Sequence, residues 1–192
     1  MTRALFIVDV QNDFTEHGAL GVEGGDAVAE RISRFLAAHA DEYAVIVASR
    51  DWHHGDDDNG GHFSTTPDFV DSWPVHCVAG TEGAEYDAVF DAGRVTHHLK
   101  KGQGRPAYSL FEGVSDDGQT AADILDAHGI RDIDIAGIAT DYCVRASALD
   151  AIAAGRTVRV FTDLVAGVHP TSSEAALAEI ERAGATLVPS EL

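Results

Sequence analysis

The chain has 192 residues, 45% of them hydrophobic, and a formal net charge of −19 that results from 13 basic and 32 acidic side chains. This length and composition suit a single domain over residues 1–192 with a sizeable core. The acidic side chains are spread along the chain, and their field repels phosphate backbones and anionic lipids. We therefore expect no nucleic-acid and no membrane partner, while self-association into a homo-oligomer stays open.

The two cysteines of the chain cannot build a disulfide framework. The opening run "ALFIVDV" reaches Asp9 too early to be a signal sequence. No apolar run approaches the roughly 20 residues that a membrane-spanning helix needs. We expect a soluble protein of a reducing compartment, the cytoplasm.

Short apolar runs, typical of strands buried on both faces, alternate with segments of helical periodicity. In chain order the predicted elements are strand 4–10, helix 24–40, strand 44–50, strand 94–100, helix 120–129, strand 132–138, helix 144–154, strand 157–163, helix 173–183 and strand 185–189. Such alternation predicts an α/β fold, a mainly parallel sheet with helices on both faces.

Residues 52–118 interrupt this alternation and are rich in Gly, Asp, His and aromatic side chains, which is typical of a functional stretch. Asp51 and His53 lie two residues apart, so in an extended segment they point to one side. His62 and His76 follow in loops. One carboxylate and three imidazoles suit a borderline divalent ion such as Zn, Fe or Mn. On spacing alone, loop histidines of the ordinary surface kind are an equally good interpretation.

Three reactive groups follow separate predicted strands: Asp9, Lys101 and Cys143. Ligands of open α/β sheets bind beyond the carboxyl ends of the strands, so these groups meet if their strands are neighbours. A lysine and a helix start both favour a thiolate, and a carboxylate can take up the thiol proton. Taken singly, Cys143 could be an inert buried thiol, Asp9 the end of a strand, and Lys101 a surface lysine.

Six motifs occur in the order found in nicotinamidases, which are isochorismatase-like cysteine hydrolases. They are "IVDVQNDF" (7–14), "RDWH" (50–53), "GHFS" (61–64), "SWPVHCVAGT" (72–81), "KG" (101–102) and "GIATDYCV" (137–144). The chain resembles this family over essentially its whole length. The resemblance implies a three-layer sandwich with a six-stranded sheet, and hydrolysis of a small-molecule amide, nicotinamide, to nicotinate and ammonia in NAD salvage. It also implies activity on pyrazinamide.

The resemblance implies catalytic roles for four residues. Asp9 matches the general base, Lys101 the lysine beside it, and Cys143 the nucleophile. A cis peptide bond is implied before Ala139, whose N–H would join that of Cys143 in an oxyanion hole. Lys100 is an alternative to Lys101, which is preferred because the family lysine directly precedes glycine.

The resemblance also implies a metal site and a substrate pocket. One divalent transition metal ion would bind the pyridine nitrogen while waters complete its coordination. Its implied ligands are Asp51, His53, His62 and His76, and the implied aromatic walls of the pocket are Phe14, Trp73 and Tyr108. Eight residues separate His53 from His62, a longer interval than the family pattern leads us to expect.

Three other functions compete with this interpretation. Isochorismatases cleave a vinyl ether and need no such metal cluster, and carbamoyl or ureido amidases share the three reactive groups but usually lack the metal ligands. A non-catalytic metal- or ligand-binding module on the same fold is the third alternative, and the presence of all three reactive groups argues against it.

Overall fold

The structure, a computed structural model, describes residues 2–191. Its strands are β1 (Arg3–Val8), β2 (Val45–Asp51), β3 (His97–Lys101), β4 (Asp132–Ile138), β5 (Thr157–Ala166) and β6 (Thr186–Val188). Its α-helices are α1 (Gly25–His39), α2 (Ala121–Ala127), α3 (Arg145–Ala153) and α4 (Pro170–Ala183). The strands form one sheet in the order β3-β2-β1-β4-β5-β6, and every pairing is parallel. The predicted six-stranded α/β sandwich is confirmed.

The boundaries of some elements differ from the prediction for local reasons. Strand β5 continues to Ala166, and α4 begins at Pro170, a residue type that suits the first turn of a helix. Strand β3 begins only at His97, because Ala92–Arg94 forms a 3₁₀ turn. Over residues 2–191, no helix has both the length and the apolar character that crossing a bilayer requires.

The alternation of side chains along β1 supplies a core to both faces of the sheet. Phe6 and Val8 point to the face that carries α2, α3 and α4, whereas Leu5 and Ile7 point to the face that carries α1. All four side chains are fully buried. The central strand is therefore apolar throughout, as its sequence predicts.

The strand order reverses beside β1, since β2 lies on one side of it and β4 on the other. In open α/β sheets, ligands bind at the carboxyl ends of the strands at such a reversal. Asp9 follows β1 there, and the turn that leads to α3 follows β4. The topology alone therefore marks this edge as the place for a site.

A glycine allows β1 and β4 to approach closely at this edge. A side chain at Gly137 would overlap the backbone of Val8, and Gly137 has a φ of +122°, which side-chain-bearing residues rarely adopt. The close approach brings the turn after β4 next to Asp9.

A buried carboxylate ties three strands and a loop together at some distance from this edge. Asp134 on β4 accepts hydrogen bonds from Arg3 on β1 at 3.1 Å, from Arg159 on β5 at 2.6 and 2.7 Å, and from the Tyr43 hydroxyl at 2.8 Å. The side chain of Asp134 is 1% exposed. The two arginines are partly exposed, so water screens part of each ion pair.

We expect Asp134→Ala to lower the free energy of unfolding by about 2 kcal/mol, because it removes an acceptor shared by three buried or half-buried donors. Asp132→Ala, on the same strand, is the matched control and should cost less than about 1 kcal/mol. Denaturant unfolding of both variants measures the difference. Equal losses would contradict the structural role of Asp134.

Candidate active site

Three reactive side chains meet at the carboxyl ends of β1, β3 and β4. Asp9 directly follows β1, Lys101 ends β3, and Cys143 lies in a π-helical turn, Thr140–Val144, between β4 and α3. The Lys101 ammonium lies 2.9 Å from Asp9 Oδ2 and 3.7 Å from Cys143 Sγ. An acid, an amine and a thiol from three distant parts of the sequence are therefore in contact.

Of the two adjacent lysines, Lys101 is the one in this cluster. Its side chain is fully buried, whereas Lys100 points to the opposite side of the strand and pairs with Asp116 at 2.7 Å. Lys100 also lies over the Trp52 ring, 4.9 Å from its centroid. The geometry agrees with the choice of the lysine that precedes glycine.

Lys101 also contacts a second carboxylate, that of Asp51. The two residues are register partners at the ends of β3 and β2, so the pairing of these strands produces the contact. Gln11 holds the backbone of Asp51: its amide nitrogen donates to Asp51 O at 3.0 Å, and its amide oxygen accepts from Asp51 N at 2.8 Å. One buried ammonium thus lies between the carboxylates of Asp9 and Asp51.

The charges of this cluster shift one another's pKa values. Burial raises the pKa of Asp9, and the nearby Lys101 ammonium only partly opposes this rise. Burial acts in the same direction on Asp51, but the Lys101 ammonium, together with the neighbouring His53 and His76 rings, holds its pKa well below the usual range. Burial acts to lower the pKa of Lys101, yet the two carboxylates raise it well above its usual value. Lys101 therefore stays charged.

Burial raises the pKa of the Cys143 thiol well above its ordinary value, and Asp9 and Asp51 add to this rise while Lys101 opposes it. This direction is opposite to the one expected from the lysine and the helix start, because the site is buried more deeply than the sequence indicates. The resting sulfur is therefore protonated and needs a base to become a nucleophile.

Three buried histidines form a second cluster beside Asp51. Nitrogen atoms of His53, His62 and His76 all lie within 4.8 Å of one another. Asp51 Oδ2 lies 3.5 Å from His53 Nε2 and 3.7 Å from His76 Nε2. The structure therefore brings together all four residues that were predicted to bind a metal, including His62 despite its long interval from His53.

Backbone carbonyls fix which nitrogen two of these rings present. His53 Nδ1 lies 2.7 Å from Gly102 O, and His76 Nδ1 lies 2.8 Å from Pro74 O. A ring that donates from Nδ1 to a carbonyl has its Nε2 free as a ligand atom. Gly102 is needed here, because a side chain at this position would overlap the His53 ring.

Among residues 2–191, the third ring, His62, has no hydrogen-bond partner on either nitrogen although it is buried, and His53 Nε2 is likewise unpaired. Burial, together with His53 and His76, lowers the pKa of His62 to about 3. The ring is therefore neutral, which is the form that binds metals. Unpaired buried nitrogens that converge on one point fit a divalent ion.

A cavity of about 340 Å³ opens onto both clusters. The three predicted aromatic walls, Phe14, Trp73 and Tyr108, line it, and Trp73 Nε1 donates to the Tyr108 hydroxyl at 3.1 Å. Two further aromatic residues that the sequence did not single out, Phe69 and Tyr142, complete the lining. The cavity is suited to a flat apolar ring with one reactive polar group.

The backbone beside Cys143 has the predicted conformation. The peptide bond between Ile138 and Ala139 is cis, and Ala139 lines the cavity together with Cys143. His169, an exposed residue, also lines the cavity.

Sequence reasoning missed two polar residues that support the site. Gln11 follows the first strand and holds Asp51, and Ser49 donates a hydrogen bond to Asp9 Oδ1 at 2.7 Å. A usable signal was present for Ser49, because it lies two residues before Asp51 in a strand and so shares its side. For Gln11, the sequence signal was limited to its position just beyond the end of a predicted strand.

Known proteins resemble this chain over nearly its full length. The model of the isochorismatase domain matches residues 3–191. The chain is 47% identical to the nicotinamidase/pyrazinamidase of Mycobacterium tuberculosis, over 97% of this chain and 98% of that protein. It is 34% identical to the nicotinamidase of Escherichia coli, over 96% of this chain and 93% of that protein.

Solved structures show the same fold. The pyrazinamidase of Pyrococcus horikoshii in complex with zinc superposes with a TM-score of 0.83 at 36% identity, covering 99% of this chain and 100% of that chain. A protein from L. infantum in complex with nicotinate superposes with a TM-score of 0.83 at 33% identity, covering 98% and 92%. With its buried thiol, lysine and carboxylate and its match over nearly its full length, the chain belongs to the isochorismatase family.

Proposed function

We propose that this chain hydrolyses nicotinamide to nicotinate and ammonia, and pyrazinamide in the same way. The observation that carries the proposal is the contact of Lys101 with Asp9 and Cys143. Cys143 lines a cavity that His62 and His76 also line. The 47% identity to a nicotinamidase/pyrazinamidase supports the choice of substrate.

The first step is activation of the thiol. Asp9 takes the proton from Cys143 Sγ, and the raised pKa of the buried Asp9 makes it a stronger base than an ordinary aspartate. The Lys101 ammonium, 3.7 Å from the sulfur, stabilises the thiolate that forms. The thiolate then adds to the carbonyl carbon of the amide.

The second step is collapse of the tetrahedral adduct. The N–H groups of Ala139 and Cys143 are proposed to stabilise the oxyanion, a contribution of about 3 kcal/mol to the barrier for each such donor. Asp9 returns its proton to the amide nitrogen, the C–N bond breaks, and ammonia leaves. The product is a thioester between Cys143 and the acyl group.

The third step is hydrolysis of the thioester. Asp9, again ionised, removes a proton from a water molecule, which attacks the thioester carbonyl. The C–S bond breaks, the sulfur recovers a proton from Asp9, and the carboxylic acid is released. The same carboxylate therefore serves both halves of the reaction, first as base and then as acid.

The residues Asp51, His53, His62 and His76 are proposed to hold one divalent ion, zinc, iron or manganese. When bound, this ion supplies a Lewis acid for the nitrogen of the substrate ring and so helps to fix the ring in the cavity. The zinc complex of the related pyrazinamidase supports a divalent ion at this site. Phe14 and Trp73 are proposed to hold the faces and edge of the ring.

We expect Cys143→Ala to lower kcat for nicotinamide by more than about a thousandfold, because no second thiol among residues 2–191 lines the cavity. Cys77→Ala is the matched control: Cys77 is fully buried and does not line the cavity. That variant should lose some stability and keep its kcat. Ammonia release measures both. Hydrolysis by Cys143→Ala near the parent rate would rule out a thioester mechanism.

We expect His62→Ala to lose bound metal and to raise KM for nicotinamide by about ten- to a hundredfold, because the ring of the substrate is then poorly fixed. Alkylation of Cys143 by iodoacetamide should keep its rate, since the thiol and its base are unchanged. His54→Ala is the matched control, because the exposed ring of His54 lies 3.2 Å from Asp57 and does not line the cavity. Metal analysis and kinetics report both effects; a full metal complement in His62→Ala would contradict the ligand assignment.

A further inference from the structure

The two oxygens of the Asp9 carboxylate have different surroundings. Oδ1 accepts a hydrogen bond from the Ser49 hydroxyl at 2.7 Å. Oδ2 lies 2.9 Å from Lys101 Nζ in an ion pair, but within residues 2–191 it accepts no well-aligned hydrogen bond. Both Asp9 and Ser49 are fully buried, so water does not compete for either oxygen. One oxygen is therefore already paired, and the other still has the capacity to accept a proton.

The position of the Ser49 hydroxyl is fixed by the sheet. Ser49 lies on β2 directly after Ala48, which is in register with Ile7 of β1. From this neighbouring strand its hydroxyl reaches Asp9, the residue that directly follows β1. A donor that is carried on a paired and buried strand holds its position better than one on a loop.

The terminal torsion of an aspartate is broad and roughly two-fold, so nothing in Asp9 itself decides which oxygen faces the lysine and the thiol. Of two other polar residues nearby, Gln11 is engaged with the backbone of Asp51, and the Asp51 carboxylate is engaged with Lys101. Among residues 2–191, the hydroxyl of Ser49 is the group that donates a well-aligned hydrogen bond to the Asp9 side chain.

We propose that Ser49 is a positioning residue for the general base. Its hydroxyl holds Oδ1, so that Oδ2 is the atom that takes the proton from Cys143 Sγ and later returns it. In that transfer the S–H bond breaks and an O–H bond forms on Oδ2, with no other reactant. The inference rests on the proposed function for its assignment of Asp9 as the base.

The test begins with Ser49→Ala. We expect kcat for nicotinamide to fall by about ten- to a hundredfold, the usual effect of losing a hydrogen bond to a charged group. KM and bound metal should stay unchanged, because the substrate pocket and the metal ligands are intact. Ser49→Thr, which keeps the hydroxyl, should recover most of kcat. Ser33→Ala is the control: it removes hydrogen bonds to Ala29 and Val89 and should leave kcat unchanged.

A second measurement does not depend on the substrate. The rate at which iodoacetamide alkylates Cys143, followed by mass spectrometry of its peptide, should fall in Ser49→Ala and recover in Ser49→Thr. If the parent chain does not hydrolyse nicotinamide, the proposed function fails. The alkylation rate of Cys143 still tests whether Ser49 positions Asp9. If Ser49→Ala does not fold, Ser49→Cys takes its place, because a thiol is a weak donor.

Three results would overturn the proposal. The first is a Ser49→Ala variant whose kcat and alkylation rate both equal those of the parent. The second is a Ser49→Ala variant that is alkylated faster than the parent. The third is a loss of kcat in Ser49→Ala with an equal rise in KM that Ser49→Thr does not reverse. The last pattern would show that Ser49 only supports the fold of the site.

Discussion

The site depends on one buried ammonium, that of Lys101. It is fully buried and contacts two carboxylates, Asp9 and Asp51, and a thiol. An isolated charge in such a place costs several kcal/mol, and so would either carboxylate without its partner. The three charges are therefore tolerable only together. Because Asp51 also adjoins the histidines, the same lysine joins the catalytic cluster to the metal ligands.

The topology of the sheet explains why these groups meet. Lys101 belongs to the edge strand β3, and its side chain extends past the end of β2 to reach Asp9 after β1. Cys143 arrives from the other side, after β4. The reversal of strand order next to β1 leaves a crevice at this edge, and the cavity of about 340 Å³ occupies it. A parallel sheet with a different strand order would separate the lysine from the thiol.

The two clusters divide the work of the proposed reaction. The thiol, carboxylate and lysine make and break covalent bonds, whereas the histidines and the aromatic walls fix the ring of the substrate. Burial raises the pKa values of both Cys143 and Asp9, so proton transfer occurs between two groups that are each poorly solvated when charged. Lys101 keeps its positive charge throughout the reaction and so stabilises the negative charge on whichever of the two groups is ionised.

Much of this arrangement could be predicted from the sequence. Apolar runs located the strands, the ends of the strands located Asp9, Lys101 and Cys143, and family motifs assigned the four metal ligands. The residues that the long segment 52–96 contacts could not be predicted from the sequence, because the segment shows neither helical nor strand periodicity. Its path depends on tertiary contacts. The alternation along the strand places Ser49 on the side of Asp51 but does not say that it meets Asp9. That contact and the contact between Lys101 and Asp51 depend on a register that only the folded sheet defines.

The most direct test of the account is the alkylation rate of Cys143 in Lys101→Met, measured on folded protein with its metal content determined in the same sample. Without the ammonium, Asp9 should become protonated in its buried site, so the thiol should react far more slowly while the metal stays bound. Lys100→Met, which changes the adjacent surface lysine, should react like the parent. A Lys101→Met chain whose thiol reacts at the parent rate would contradict the central role given to this lysine.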